Sequence, residues 1–242
     1  MSEPSLDLEK PNAVGALDRI TTNVAISLIA VVPTFLICIA MPWRVTELLK
    51  EDNPEGRSGM LLAPGAFFPI SLLISLMLGA LLTTPELANN NGAFLGPGLA
   101  LAIQSAVAEG NVWKTVATIM PIYGFAVLAG TLGLVLKPLV GSDWTLRVSL
   151  RAVFYVTGVF VSWIILTTAA VDLTRLATQN ADVINFLYML IPLPTLIGLL
   201  WMYLWMFRRI GDLSFLRSGL LSAAMIFFKF PVLLGLGTLA SI

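Results

Sequence analysis

The 242 residues include 57% hydrophobic and 12% charged side chains, and 14 Lys and Arg balance 14 Asp and Glu. A soluble fold of this size could not cover so much apolar surface, and zero net charge provides no overall basic field for nucleic acid. The composition therefore predicts an all-α integral membrane protein in contact with the lipid bilayer, and it excludes a nucleic-acid partner.

The chain has no histidine and a single cysteine, Cys38. The absence of histidine excludes three kinds of site: haem bound through its usual axial ligand, zinc bound by histidine, and acid–base catalysis by histidine. A lone cysteine in an apolar run cannot form an intramolecular disulfide, and it behaves as a small hydrophobic residue. We expect no cofactor, no metal site and no catalytic residue, and hence no enzyme.

Residues 1–22 are predicted to form a polar N-terminal tail without the apolar core of a cleaved signal peptide. The uncharged run 23–41 is the first predicted span, because about 20 apolar residues cross a bilayer. It ends at Pro42, Trp43 and Arg44, an aromatic ring and a cation suited to the headgroup region. Residues 43–49 are predicted to form a short interfacial helix.

The second predicted span, residues 66–83, carries small residues every fourth position at Ser71, Ser75 and Gly79. This spacing lets two helix backbones approach closely within lipid. The face could pack inside the protein or form a dimer interface, and the sequence leaves both open.

Residues 93–109 are Ala-rich, contain Gly96-Pro97-Gly98, and are short and polar for a span. Broken backbone at membrane depth is tolerated only where protein or water satisfies it. We predict a re-entrant or interfacial segment, with a plain extramembrane helix as the alternative.

The third predicted span covers residues 116–136 and carries another small-residue pair, Ala126 and Gly130. The remaining predicted spans cover residues 152–171, 183–206 and 219–240. Six spans therefore form one transmembrane domain, residues 23–242. With the first loop inside, most Lys and Arg fall in inner loops, which predicts that both termini are non-cytoplasmic in a bacterial inner membrane.

Lys229 is the ionisable residue placed near the centre of a predicted span. A cation at that depth usually faces a bundle interior and has a partner, which makes Lys229 a functional candidate. No acid lies at the centre of another predicted span, and the nearest possible partners, Glu109, Asp172 and Asp182, all lie toward the outer side. In the alternative, structural interpretation the ammonium group satisfies carbonyls freed by Pro231 or reaches the headgroups.

Two other groups of residues suggest contact with the headgroup region. Tryptophans fall mostly near predicted span ends, where interfacial anchoring explains them. Basic residues flank the loop before the last span and act either as topology determinants or as ligands for anionic headgroups. The residues concerned are Trp113, Trp144, Trp163, Trp201 and Trp205, and Arg208, Arg209 and Arg217.

Three loose motifs occur in order along the chain: the Pro-led segment PWRVTELL at 42–49, GSDWTLRVSLRAVFY at 141–155, and RRIGDLSFLRSG at 208–219. With these motifs the chain from Pro42 onward resembles the prokaryotic branch of the Yip1 family of five-span membrane proteins. The span at 23–41 is additional to those five. The resemblance implies a non-enzymatic helical membrane protein. Eukaryotic relatives are associated with Rab GTPases and vesicle traffic, but no residue carries that role over to this chain.

The leading functional hypothesis is a membrane scaffold or accessory subunit that contacts other membrane proteins, or a second copy of itself, through its helices. The small-residue pairs and the absence of catalytic motifs favour it. The alternative is a small transporter or permease, suggested by the re-entrant segment, by Pro and Gly within spans, and by Lys229.

Overall fold

The computed structural model describes residues 13–50, 61–82, 112–178 and 180–239, and within these ranges all regular structure is helical. The composition predicts this all-α class. In chain order the helices are α1 (Ala13–Ala40), α2 (Pro42–Lys50), α3 (Pro64–Leu82), α4 (Val112–Leu132), α5 (Lys137–Val140), α6 (Leu146–Ala177), α7 (Ala181–Leu190), α8 (Pro192–Ile210) and α9 (Phe215–Leu239), with a 3₁₀ turn at Gly133–Leu136.

Helix α1 begins at Ala13, inside the segment 1–22 that was predicted as a polar tail. The helix therefore continues N-terminally beyond its apolar part. At the other end, α2 is bent by 110° from α1, and Pro42 occupies its first position, where a missing N–H costs little. The short helix predicted after the first span is therefore present. It buries Val45, Leu48 and Leu49 against the bundle.

Helix α6 is the centre of the bundle and packs against α1, α2, α3, α4, α7 and α8. Within its apolar stretch, Leu146–Val171, 65% of an 18-residue window is buried. Thr145 caps the N-terminus, with its side chain accepting a hydrogen bond from the backbone N–H of Val148 at 3.3 Å. The cap starts a helix that extends six residues beyond each end of the predicted span.

The connection from α4 to α6 turns the chain through the 3₁₀ turn, α5 and a short loop. Gly141 has φ 118°, a conformation that favours glycine because other residues would be strained there. The loop returns the chain so that the indole Nε1 of Trp144 donates a hydrogen bond to the Gly133 carbonyl at 2.9 Å. Trp144 is completely buried, which differs from the interfacial position expected of it.

The fifth predicted span, residues 183–206, consists of two helices, α7 and α8, with a break at Ile191. Pro192 lacks the N–H that would continue the hydrogen bonds of α7, although Ile191 itself keeps helical backbone angles, φ −58° and ψ −45°. The two helices together still form a 30-residue apolar segment, Ala181–Ile210.

Successive long helices alternate in direction. The C-terminal ends of α1, the α4–α5 segment and α8 therefore lie at the same end of the bundle as the N-terminal ends of α3, α6 and α9. Contacts between residues far apart in the chain support this arrangement. The Trp144 ring packs on Phe207 with centroids 4.8 Å apart, and Lys50 reaches Asp143. We call this end of the bundle, formed by α2 and residues 133–151 and 208–217, the basic end.

Among the described residues, three helical segments are long and apolar enough to cross a membrane. These are Ile122–Val140, Leu146–Val171 and Ala181–Ile210, and the bent pair α1–α2 makes a fourth if it counts as one span. The chain is therefore consistent with a membrane protein. The six-span count stays a prediction, and the segment 93–109 lies outside the described residues.

Candidate functional site

Cations outnumber acids at the basic end. The acidic side chains there are Glu47, Asp143 and Asp212. The cations come from all three stretches of chain that form this end: Arg44, Lys50, Lys137, Arg147, Arg151, Arg208, Arg209 and Arg217. Converging helix ends therefore concentrate positive charge on one face, the arrangement that interacts with anionic headgroups or with an acidic partner.

Helix α2 is held by two contacts, one with the first part of α6 and one with the loop before it. Arg151 Nη1 donates to the Leu49 carbonyl at 3.1 Å and to the Leu48 carbonyl at 3.5 Å. Carbonyls in the last turn of a helix have no intrahelical donor, so this guanidinium satisfies them and complements the helix dipole.

The second fastening is an ion pair between Lys50 Nζ and Asp143 Oδ2, 3.1 Å apart. The hydrogen bond and positive charge of Lys50 hold the pKa of the Asp143 carboxyl below its ordinary value, with a smaller contribution from Ser142. Both side chains are largely exposed, so water screens the pair and its contribution to stability is small.

Three tryptophans gather where α1, α2 and α8 meet, and we call Trp43, Trp201 and Trp205 the tryptophan cluster. The Trp43 and Trp205 ring centroids are 5.1 Å apart, and those of Trp201 and Trp205 are 5.6 Å apart. Trp201 Nε1 donates to the Ile39 carbonyl at 3.2 Å, and the Arg208 guanidinium carbon lies 5.2 Å from the Trp205 ring centroid. The cluster therefore joins a cation to an amphipathic aromatic surface.

The non-helical segment before α3 is held by side chains from two other helices. The Leu62 N–H donates to Thr34 Oγ1 of α1 at 3.0 Å, and the Leu62 carbonyl accepts from the Tyr155 hydroxyl of α6 at 2.6 Å. Both backbone groups of Leu62 are thus satisfied by other parts of the protein.

Lys229 lies in the second half of α9, two residues before Pro231, and its side chain lies outside the described part of the structure. Of the three acids weighed as partners, Glu109 also lies outside the described residues. Asp182 is exposed in the first turn of α7, and Asp172 lies near the end of α6. The functional and structural interpretations of Lys229 both stay open.

The small residues of α3 lie against α6. Ser71 and Ser75 are buried, and the Ser71 hydroxyl donates to the Phe68 carbonyl at 3.0 Å. From α6, the Ser162 hydroxyl donates to the Ser71 carbonyl at 3.3 Å, and a Cβ added at Gly158 would lie 3.0 Å from Ser71 Oγ. Gly79 lies further along α3. The structure thus places the two serines within the protein.

The small-residue pair on α4 also lies against α6. Ala126 is completely buried. A Cβ added at Gly130 would lie 2.7 Å from Leu150 Cδ2 and 3.0 Å from Leu150 Cα, and the Ser149 hydroxyl donates to the Gly130 carbonyl at 2.6 Å. The α4 and α6 backbones approach so closely that only glycine fits at position 130.

Sequence reasoning did not identify the structural roles of Trp144, Arg151 and Tyr155. Each bonds a backbone carbonyl, and the last two reach carbonyls about a hundred residues away in the chain. No local pattern in the sequence marks such long-range bonds. The tryptophan cluster was predictable only in part. Trp43, Trp201 and Trp205 all fall near ends of predicted spans, but their contact with one another was not predicted.

The chain matches no known protein-family model, no curated protein and no solved structure in the three comparisons made.

Proposed function

We propose that this protein is a non-enzymatic membrane scaffold or accessory subunit that binds another membrane protein through helix–helix contacts, with the six-span, Yip1-like organisation predicted from its sequence. The observation that carries the proposal is the exposure of α7.

Helix α7 packs little against its own chain. Among the side chains of α7 that the structure describes, Ile184 is the buried one, whereas Phe186 is 61% and Met189 78% exposed. Asn185 is exposed on the same helix. Within lipid, Asn side chains hydrogen-bond across helix interfaces, so an apolar helix that displays Asn is suited to associate with another helix.

The packing of α3, α4 and α6 supports a static role for the rest of the bundle. Gly130 and Gly158 leave no room for a Cβ, and serine hydroxyls bond backbone carbonyls of neighbouring helices. Helices joined this closely form a rigid platform that can present α7 to a partner.

The proposed topology has six crossings, made by α1, α3, the α4–α5 segment, α6, the α7–α8 pair and α9. The basic end faces the cytoplasm and both termini face away from it, because Lys and Arg near spans resist translocation. A reporter at the C-terminus that is active only in the cytoplasm would contradict this orientation.

Photocrosslinking in native membranes tests the proposal. Benzoylphenylalanine would replace Met189 in α7 and, as the matched control, Ile29 in α1, which is 71% exposed. The scaffold model predicts a discrete protein adduct at position 189 that Asn185→Leu weakens, and lipid adducts alone at position 29.

Two outcomes would count against the proposal. Lipid adducts alone at both positions would show that α7 has no protein partner. A homogeneous homo-oligomer whose thermal stability rises with one small solute would favour the transporter alternative.

A further inference from the structure

One face of α8 combines a cation, aromatic rings and aliphatic side chains in a single row. Positions 193, 197, 201 and 205 follow each other at intervals of four, and position 208 comes three residues later, so all lie on one side of the helix. The row consists of Leu193, Ile197, Trp201, Trp205 and Arg208.

The row is open to the surroundings over most of its length. Leu193 and Ile197 are 58% and 57% exposed, Trp201 is 39% exposed, and Arg208 is exposed at the basic end. Trp43 of α2 packs beside Trp205 and forms a wall at the charged end of the row.

The dimensions of the row match one leaflet of a bilayer. From position 193 to position 208 a helix rises about 22 Å, close to half of a bilayer that measures about 40–45 Å with its headgroups. A phospholipid that lies along the row would place its chain on Leu193 and Ile197, its glycerol region beside the tryptophans and its phosphate at Arg208.

Charge complementarity favours an anionic headgroup. Within the described part of the chain Arg208 forms no ion pair, and its guanidinium stacks over the Trp205 ring, which leaves N–H groups at its edge to bond phosphate oxygens. Arg209 adds a second exposed cation at the same helix end.

We infer that the α8 row and Trp43 form a binding site for a single anionic phospholipid, whose phosphate is held by Arg208. The site is separate from the α7 surface of the proposed function, and neither depends on the other.

The test measures lipid binding by native mass spectrometry on purified, delipidated protein. The probes are dioleoyl phosphatidylglycerol, dioleoyl phosphatidylcholine and glycerol 3-phosphate. We expect one tightly bound phosphatidylglycerol, with phosphatidylcholine and glycerol 3-phosphate each bound at least about fivefold more weakly.

Arg208→Gln should weaken phosphatidylglycerol binding about fivefold, whereas Arg208→Lys should keep most of it. The matched control Lys137→Gln removes one exposed charge at the basic end from a different helix, and it should leave binding unchanged. Trp205→Leu removes the ring beneath the guanidinium and serves as the second test if Arg208→Gln does not fold.

Three results would overturn the inference. In the first, Arg208→Gln, or Trp205→Leu in its place, binds phosphatidylglycerol as tightly as the wild type. In the second, phosphatidylcholine binds as tightly as phosphatidylglycerol, which would show that the site does not recognise the charge of the headgroup. In the third, glycerol 3-phosphate binds as tightly as the lipid, which would indicate a site for a soluble phosphate rather than for a lipid.

Discussion

Helix α6 and the α7–α8 pair are both long, apolar segments, yet they occupy opposite positions in the bundle. In the most apolar 18-residue window of α6, 65% of the residues are buried, whereas in the corresponding window of Ala181–Ile210 the share is 18%. Apolarity suits a helix for lipid but does not say whether lipid or protein surrounds it. In this chain the protein-surrounded and the exposed helices differ in the size of their side chains. Small residues let α6 approach its neighbours, whereas large side chains cover α7 and α8.

Two glycines show the difference most directly. A Cβ added at Gly158 of α6 would lie 2.8 Å from Phe67 Cε1 and 3.0 Å from Ser71 Oγ. A Cβ added at Gly198 of α8 would meet nothing within 4 Å. The same residue type is therefore a packing requirement in one helix and replaceable in the other.

The largest expected effect comes from Gly158→Val. The added side chain would overlap Phe67 and Ser71, and overpacking of this kind costs about 1–3 kcal/mol in the free energy of unfolding. Equilibrium unfolding in mixed micelles with increasing SDS would measure it.

Gly198→Val is the matched control, because the same atoms are added at an open position. We expect its free energy of unfolding to lie within about 0.5 kcal/mol of the wild type. Equal destabilisation by both substitutions would show that α6 and α8 do not differ in packing as described.

A smaller loss in the free energy of unfolding is expected from Tyr155→Phe. The substitution removes the donor to the Leu62 carbonyl and leaves that partly buried acceptor without its partner, at a cost of about 1–2 kcal/mol. Tyr123→Phe is the control, since the Tyr123 ring stacks on Phe68 and packs at a tilt against Phe154, and these ring contacts survive. An equal loss in the free energy of unfolding in both variants would contradict a specific contribution from the hydrogen bond to the Leu62 carbonyl.

Arg151→Met tests the link between α6 and α2. Without the guanidinium, the carbonyls of Leu48 and Leu49 lose their donor, and we expect α2 to open more often, with a cost of about 1 kcal/mol for a partly exposed bond. Hydrogen exchange of the α2 amides should be about fivefold faster. Arg209→Met, which removes an exposed cation, should leave this exchange unchanged.

The smallest effect is expected from Asp143→Asn. Because the folded pKa of Asp143 is lowered, the pair with Lys50 stabilises the protein above the ordinary aspartate pKa of about 3.9, and this contribution is lost as the pH falls through the folded value. With both side chains exposed, we expect no measurable change in the melting temperature at pH 7. A large loss at pH 7 that persists at pH 3 would contradict the ion-pair account.

The helices were largely predictable from the sequence because lipid requires long apolar segments that satisfy their own backbone hydrogen bonds. The small-residue spacing of Ser71 and Gly130 pointed to close helix contacts, although it did not identify α6 as the neighbour. The break at Ile191 was missed, since the apolar run continues through Pro192 without interruption.

The contacts at the basic end could not be predicted. Arg151 and Tyr155 are four residues apart on α6, and each reaches a backbone carbonyl in a distant segment. Such bonds depend on how the helices are placed in three dimensions, which the spacing of residues within one helix does not specify.

Lipid labelling of the reconstituted protein tests the contrast between α6 and the α7–α8 pair most directly. Phospholipids with a diazirine in the acyl chain would be photolysed, and the adducts would be mapped by mass spectrometry. The account predicts adducts at Phe186, Met189 and Leu193, and none at Val153 and Val156 of α6. Labelling of α6 as heavy as that of α7 and α8 would contradict it.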